Sequence, residues 1–327
     1  MRIVSLLPSA TEIVCALGLQ DELVGISHCC DYPPEIEGVA VVTRPAAIRS
    51  AAATHPHGGS HPGVGAGRPT PRRPRVEPFV DDEIGAAELD AEALRAAQPD
   101  LIFVRDRTGG AGIGSRQVRA ALGQPAEDAF GEPVIVSLNP VSVEGIFHSI
   151  TTIGAMAEAE DDAMELLEAL REELGDLEQR VVVRHDEGFR PPRVVVLPSL
   201  EPPFSSGRWM PEQVRRAGGW DLIGREGDDP EPSSWESVRD VDPEMLLIAP
   251  MGMHLPAAKR TFARLKLPEF WYEIQAVRAG RVFIVEPVYF ERPGPRVVDG
   301  VAMLAEIFDP NGFIETSPPG SWTPIIE

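Results

Sequence analysis

The sequence predicts an α/β protein of two similar lobes with parallel sheets, joined by a long rigid backbone helix. Three observations lead there. Short apolar strands alternate with helical segments, the two halves repeat each other in order, and a one-sided apolar helix separates them. The expected organisation is an N-terminal lobe over 1–141 with an irregular segment at 48–78, a helical linker over 142–188, and a C-terminal lobe over 189–327 with an irregular tail.

The chain opens RIVSLLPSATEIVCALGLQDELVG. Ile3 to Leu7 has the apolar, β-branched character of a buried parallel strand. Ser9 and Glu12 have capping-box spacing, Ile13, Val14, Ala16 and Leu17 form an apolar helical run, and Gly18 supplies a stop. A secretory leader needs a basic start and an unbroken apolar core. Here only Arg2 is basic, Pro8 interrupts the run and Glu12 charges the next one. The expectation is therefore a cytoplasmic protein, and no stretch reaches the ~18 apolar residues of a membrane span.

The opening unit returns as RVVVLPSLEPPFSSGRWMPEQVRRAGGWDLIG (Arg193–Gly224): strand, Pro-Ser, polar loop, helix, glycine, apolar segment. LDAEALRAAQPDLIFV (Leu89–Val104) matches SWESVRDVDPEMLLIAP (Ser234–Pro250), each reading helix, Pro-acid, apolar strand. PVIVSL (Pro133–Leu138) pairs with RVFIVEP (Arg281–Pro287) as isolated strands. Between the halves, a helix is expected near Ser142–Ala157. From Glu160 to Val182, Ala163, Leu167, Leu170, Leu174, Leu177 and Val181 recur at spacings of four and three, one apolar stripe on a second helix roughly 33 Å long.

Two stretches break the pattern. Ile48–Pro78 is rich in Pro, Gly, His and Arg without apolar periodicity, which predicts a surface loop or disorder. His55, His57 and His61 fall inside it and are not expected to form a structured site. Arg107–Gly114, RTGGAGIG, lacks the Lys-Ser/Thr of a phosphate-binding loop. The tail after Asp309 is expected along the surface.

The net charge of −21 excludes the basic footprint of a nucleic-acid binder. The three cysteines, Cys15, Cys29 and Cys30, make no disulfide framework. Cys15 reads as a core residue on the first helix. His28-Cys29-Cys30-Asp31 lines up four ligand types, but a tetrahedral metal site draws on two separated segments, so a reduced loop is expected and no metal. No catalytic triad, nucleotide loop or paired-carboxylate arrangement is discernible, so no enzyme activity and no catalytic residue is expected.

SLLPSATEIVCALGL (5–19) and VGISHCCDYPPE (24–35), with PDLIFV (99–104), PPFSSG (202–207), SWESVRDVDPE (234–244) and YFERPGPRVVDG (289–300), resemble the cobalamin-binding members of the class III substrate-binding proteins of ABC importers. That family also serves siderophores, haem and metals. The resemblance covers most of the chain outside about 44–83 and 106–114. It implies two α/β lobes on a rigid helix, and a corrinoid such as cobalamin held between them as ligand rather than catalytic cofactor. Cytoplasmic-type relatives usually read SHECDYP where this chain has SHCCDYP. They often carry a second cysteine pair where this chain has RTGGAGIG, and an aromatic frequent in the family just before the first-lobe loop is absent, with Arg44 near its place.

A corrin is a broad, largely apolar ring with amide arms, so its site needs aromatic faces and a few donors. Tyr32, Phe204, Trp209, Trp235, Tyr289 and Phe290 all stand in segments that follow strands or open helices, the edge where open parallel sheets bind ligands. The resemblance matches Tyr32 and Phe204 to corrin-contacting aromatics and Arg292 to a residue near the polar arms. Glu92 and Glu236 occupy equivalent helix starts; complementing the helix dipole accounts for them, and the resemblance implies docking on a permease. The remaining expectations are a monomer, with haem, a ferric siderophore or a metal on the same fold, or an enzyme of corrinoid salvage, as alternatives.

Overall fold

The computed structural model describes residues 1–46, 87–106, 113–123 and 131–325. The irregular segment at 48–78, with His55, His57 and His61, and most of the glycine-rich stretch 107–114 lie outside the described residues.

The first lobe runs β1 (Ile3–Ser5), α1 (Pro8–Ala16), β2 (Leu23–Ile26), β3 (Thr43–Pro45), β4 (Ala87–Leu89), α2 (Ala91–Ala97), β5 (Leu101–Val104), α3 (Ser115–Leu122) and β6 (Val134–Ser137). Two helices follow, α4 (Val143–Met156) and α5 (Glu160–Asp186). The second lobe begins with β7 (Arg193–Leu197), β8 (Gly207–Arg208), α6 (Met210–Arg216), β9 (Trp220–Asp221), β10 (Arg225–Glu226), α7 (Trp235–Val241) and β11 (Met245–Ile248). It ends with α8 (Leu255–Phe262), α9 (Gln275–Arg278), β12 (Val282–Val285), α10 (Val288–Glu291), α11 (Val297–Phe308) and β13 (Trp322–Pro324).

The repeat is a repeat of topology. The first sheet has the order β2-β1-β5-β6 and the second β13-β12-β11-β7-β9. Read from the opposite edge, β9, β7, β11 and β12 take the places of β2, β1, β5 and β6, and within these two sets every neighbouring pair is parallel. The match reaches the helix ends. After α1, Gly18 N donates to Cys15 O and Leu19 N to Val14 O; after α6, Gly218 N donates to Arg215 O and Gly219 N to Val214 O. Gly18 and Gly218 both have positive φ, at 74° and 84°, as this helix stop requires. α2 and α7 both end on a left-handed residue, Gln98 and Asp242, each with φ of 44°.

Alternate strand residues face different cores. Ile3, Val194 and Val196 join α1, α4, α5, α6 and α11 in one cluster that runs through both lobes. Val4 with Leu94 and Ile102, and Val195 and Leu197 with Val238 and Trp271, face separate helical layers. Sharing one core through the linker helices makes the lobe arrangement stiff, because a change of lobe angle would open packed apolar surface.

α5 follows the expected stripe: Ala163, Leu167, Leu170, Leu174 and Leu177 are buried, and Val181 packs at the margin. It continues one turn past the expected end, so its 27 residues span about 40 Å. Glu160, Asp161 and Asp162 open it and Arg184 and His185 close it, matching the helix dipole at both ends. Gly154 permits the tight α4–α5 contact, since a Cβ there would lie 2.5 Å from Ala163 Cβ.

Two sequence expectations need correction. Ser9 and Glu12 do not form a capping box: α1 starts at Pro8, its N-cap is Leu7, and no side chain caps it. Proline at the first helical position already lacks the N–H that a cap would satisfy. The tail does more than follow the surface: β13 adds an antiparallel strand to β12, with Trp322 edge-on to Phe283 at 5.6 Å. Among the described residues, no helix is long and apolar enough to cross a membrane.

Candidate functional site

The two lobes meet through charge. Glu12 is a glutamate in the middle of an apolar helix and only 4% exposed. A buried carboxylate must find partners, and both come from the opposite lobe. Arg292 Nη1 lies 3.2 Å from Glu12 Oε1. Arg296 reaches both oxygens, Nε at 2.9 Å and Nη2 at 2.5 Å. Arg292 Nη1 also donates to Asp31 Oδ1 at 2.5 Å, and Asp31 Oδ2 lies 3.2 Å from His254 Nε2. The other ring nitrogen of His254 is 3.2 Å from Glu286 Oε1. α1 and the segment after β2 thus face α10, the turn before α11 and the start of α8.

Burial pushes the Asp31 carboxyl up, but the hydrogen bond and charge of Arg292, with His254, outweigh it and hold it below the usual carboxylate range. Burial disfavours the Arg292 charge, yet Asp31 and Glu12 leave its pKa above the ordinary arginine value. Arg292 Nε is buried without a hydrogen-bond partner. An aromatic pair flanks the network: the Arg296 guanidinium stands 4.3 Å from the Tyr32 ring centroid and 5.8 Å from that of Tyr289, within cation–π range.

Of the residues expected to contact a ligand, Tyr32 is 45% exposed and Tyr289 is half-buried beside the same network. The others turn inward. Phe204 is buried, forming a bridge to Pro232. Trp209 and Phe290 belong to the shared core, and Trp235 packs edge-on against Trp271 at 5.6 Å. Aromatics at strand ends carry enough apolar area to be drawn into the nearest core, which position along the chain does not reveal. Arg292, read from sequence as a donor for polar arms, is 5% exposed and committed to carboxylates.

Glu92 and Glu236 are exposed in the first turns of α2 and α7. Asp90 caps α2, accepting from Glu92 N and Ala93 N, and Ser234 caps α7, accepting from Ser237 N. The sequence reading missed Arg296 and His254 and gave Glu12 the wrong role. Glu12 did carry a signal, since a lone acid within an apolar helix implies a buried partner.

His28, Cys29, Cys30 and Asp31 diverge. His28 turns to Thr43, Cys30 Sγ lies 3.1 Å from Thr11 Oγ1, and Asp31 faces Arg292 and His254. No group of three His, Cys, Asp or Glu side chains able to hold a metal occurs among the described residues. A groove of about 590 Å³ lies along α5, lined by Met164, Leu167, Glu168, Arg171 and Glu172. Its lining comes from a single helix, so it is a surface notch and contributes nothing to the interlobe site.

Residues 88–289 match the family model described as "Periplasmic binding protein". The chain belongs to the periplasmic binding protein family. Among relatives, an uncharacterized ABC transporter substrate-binding lipoprotein, YvrC, of Bacillus subtilis is 24% identical over 321 residues, covering 96% of this chain and 82% of that protein. The vitamin B12-binding protein of Vibrio cholerae is 57% identical over 42 residues, 12% of this chain and 15% of that one. Among solved structures, a periplasmic heme binding protein from Pseudomonas aeruginosa has a TM-score of 0.65 at 20% identity, covering 95% of this chain and 93% of that chain. The periplasmic vitamin B12 binding protein BtuF of Vibrio cholerae has a TM-score of 0.63 at 21% identity, covering 94% and 96%. These neighbours establish the two-lobed α/β fold of the periplasmic binding protein family.

Proposed function

We propose that this member of the periplasmic binding protein family is a non-catalytic binding protein for a corrinoid such as cobalamin, held between its lobes. The observation that carries this reading is the state of the interlobe arginines. Arg292 and Arg296 are each matched by carboxylates of the other lobe. A haem presents two propionates and needs cations to receive them. A corrin presents amides, which hydrogen-bond to matched ion pairs without requiring a net charge. The acid-rich surroundings of Asp31, Glu286 and Glu291 favour the uncharged fringe, and Tyr32 and Tyr289 supply aromatic area. The 42-residue similarity to a vitamin B12-binding protein agrees with this choice.

Titration of the full chain with cyanocobalamin, cobinamide and hemin, followed by absorbance, tests the proposal. Micromolar or tighter binding of the corrinoids with at least tenfold weaker binding of hemin is expected. Preference for hemin would replace the reading with haem binding.

Glu92 and Glu236, exposed at equivalent places on the two lobes, are proposed as the acids that meet a permease. A cytoplasmic location is proposed as well. Cell fractionation tests it: recovery of the protein with the soluble cytosolic fraction is expected, and recovery in the periplasmic or membrane fraction would overturn the location.

A further inference from the structure

The segment after β2 contains one histidine whose ring is oriented from behind. His28 Nδ1 lies 2.7 Å from Thr43 Oγ1, and the same oxygen accepts from His28 N at 2.9 Å. Thr43 Oγ1 donates its single proton to Ser27 Oγ at 3.3 Å, and Ser27 Oγ also accepts from Cys29 N. Thr43 and Ser27 are buried. With its proton directed at Ser27 and one lone pair taken by a backbone N–H, Thr43 offers Nδ1 only a lone pair. On this basis the ring proton is assigned to Nδ1, which leaves the lone pair on Nε2.

Nε2 has no hydrogen-bond partner among the described residues, and the ring is half-buried. Burial also holds the ring's pKa below the ordinary histidine value, which favours the neutral form. A neutral imidazole held by one nitrogen with the other unengaged is the arrangement of a metal ligand with its outer-shell support in place. The segment faces the opposite lobe: Cys29 O lies 3.5 Å from Arg292 Nη2, and Asp31 pairs with Arg292 and His254. His254 does not offer the same chemistry, because each of its nitrogens faces a carboxylate.

We infer that His28 Nε2 is an axial ligand to the cobalt of the bound corrinoid. The inference rests on the corrinoid reading above. The step is ligand exchange without redox change: the Nε2 lone pair forms a Co–N bond and a cobalt-bound water leaves as water. It selects a corrinoid with an exchangeable axial position, such as cobinamide, over cyanocobalamin, whose axial positions are both filled.

The experiment uses the full chain, diaquocobinamide and cyanocobalamin, with visible absorbance as the readout. On the wild type, bound diaquocobinamide should take the spectrum of cobinamide in free imidazole. In His28→Gln it should keep the diaquo spectrum and bind about tenfold more weakly, while cyanocobalamin binds both proteins alike. Thr43→Val removes the acceptor that orients the ring and should reduce the spectral change. It serves as the second variant if thermal melting shows that His28→Gln misfolds. A diaquo spectrum on the bound wild type overturns the ligation and leaves the corrinoid reading intact, as does an imidazole-type spectrum that persists in both variants. Failure of both corrinoids to bind overturns both readings together.

Discussion

Replacing Arg292 with methionine tests whether charge holds the lobes together. Methionine keeps much of the side-chain volume and removes the guanidinium. Glu12, whose side chain is 2% exposed, then loses one of its two cationic partners but keeps both contacts from Arg296. Asp31, 45% exposed, loses its strongest partner and relaxes into water with His254 beside it. Breaking a fully buried pair costs about 3–5 kcal/mol. The retained Arg296 and the exposure of Asp31 reduce this, and loss of the unpaired Arg292 Nε removes a small cost, leaving about 2–3 kcal/mol.

For a chain of 327 residues, unfolding entropy of ~2.1 cal/mol/K per residue converts this to a fall in Tm of about 3–5 °C. Differential scanning calorimetry measures it, and the fall should change little between low and high salt because the pair is shielded from ions. In a cycle with Glu12→Gln, the coupling should be about 1 kcal/mol or more. A Tm within ~1 °C of wild type would refute the reasoning, as it would mean that the network behaves like an exposed ion pair worth under ~1 kcal/mol. Asp31 adds a pH signature. Its depressed pKa contributes stability above the unfolded carboxylate value that is lost as pH falls through the folded one. Arg292→Met should flatten that acid limb.

Tyr32→Ala should weaken cobinamide binding about tenfold, since some tens of Å² of ring at ~25 cal/mol per Å² amount to roughly 1–2 kcal/mol; calorimetric titration measures it, and Tm should shift little because the ring is half exposed. Phe204→Ala, by contrast, empties a buried position and should cost about 3 kcal/mol of stability in denaturant unfolding. Burial and then Glu173 raise the Asp299 pKa to about 6. A raised acid pKa penalises the folded state as pH climbs from the unfolded value towards the folded one and above it, so Asp299→Asn should gain about 1–2 kcal/mol near pH 8 and nothing near pH 4. Burial, with Glu35 and Glu12, raises the Cys15 thiol to about 11, so mass spectrometry should find it unlabelled by iodoacetamide near pH 8 until the chain is unfolded.

The sequence by itself determined the two-lobed architecture. Strand, Pro-Ser, helix and glycine stop recur in order because each lobe solves the same local problem, and local patterns of burial and chain reversal are written in nearby residues. Gly18 and Gly218 and the stripe from Ala163 to Val181 are of this kind. Only the tertiary structure decided the use of charges and aromatics. Glu12 looked like half of a capping box because its partners, Arg292 and Arg296, lie 280 and 284 residues away. Trp209 and Phe290 stand at strand ends and helix starts like Tyr32, yet the shared core takes them in and leaves Tyr32 outside. The lone pair of His28 depends on which way Thr43 and Ser27 point their protons. Side-chain partners across a lobe boundary are chosen when two surfaces close on each other, and no periodicity within either segment records that choice.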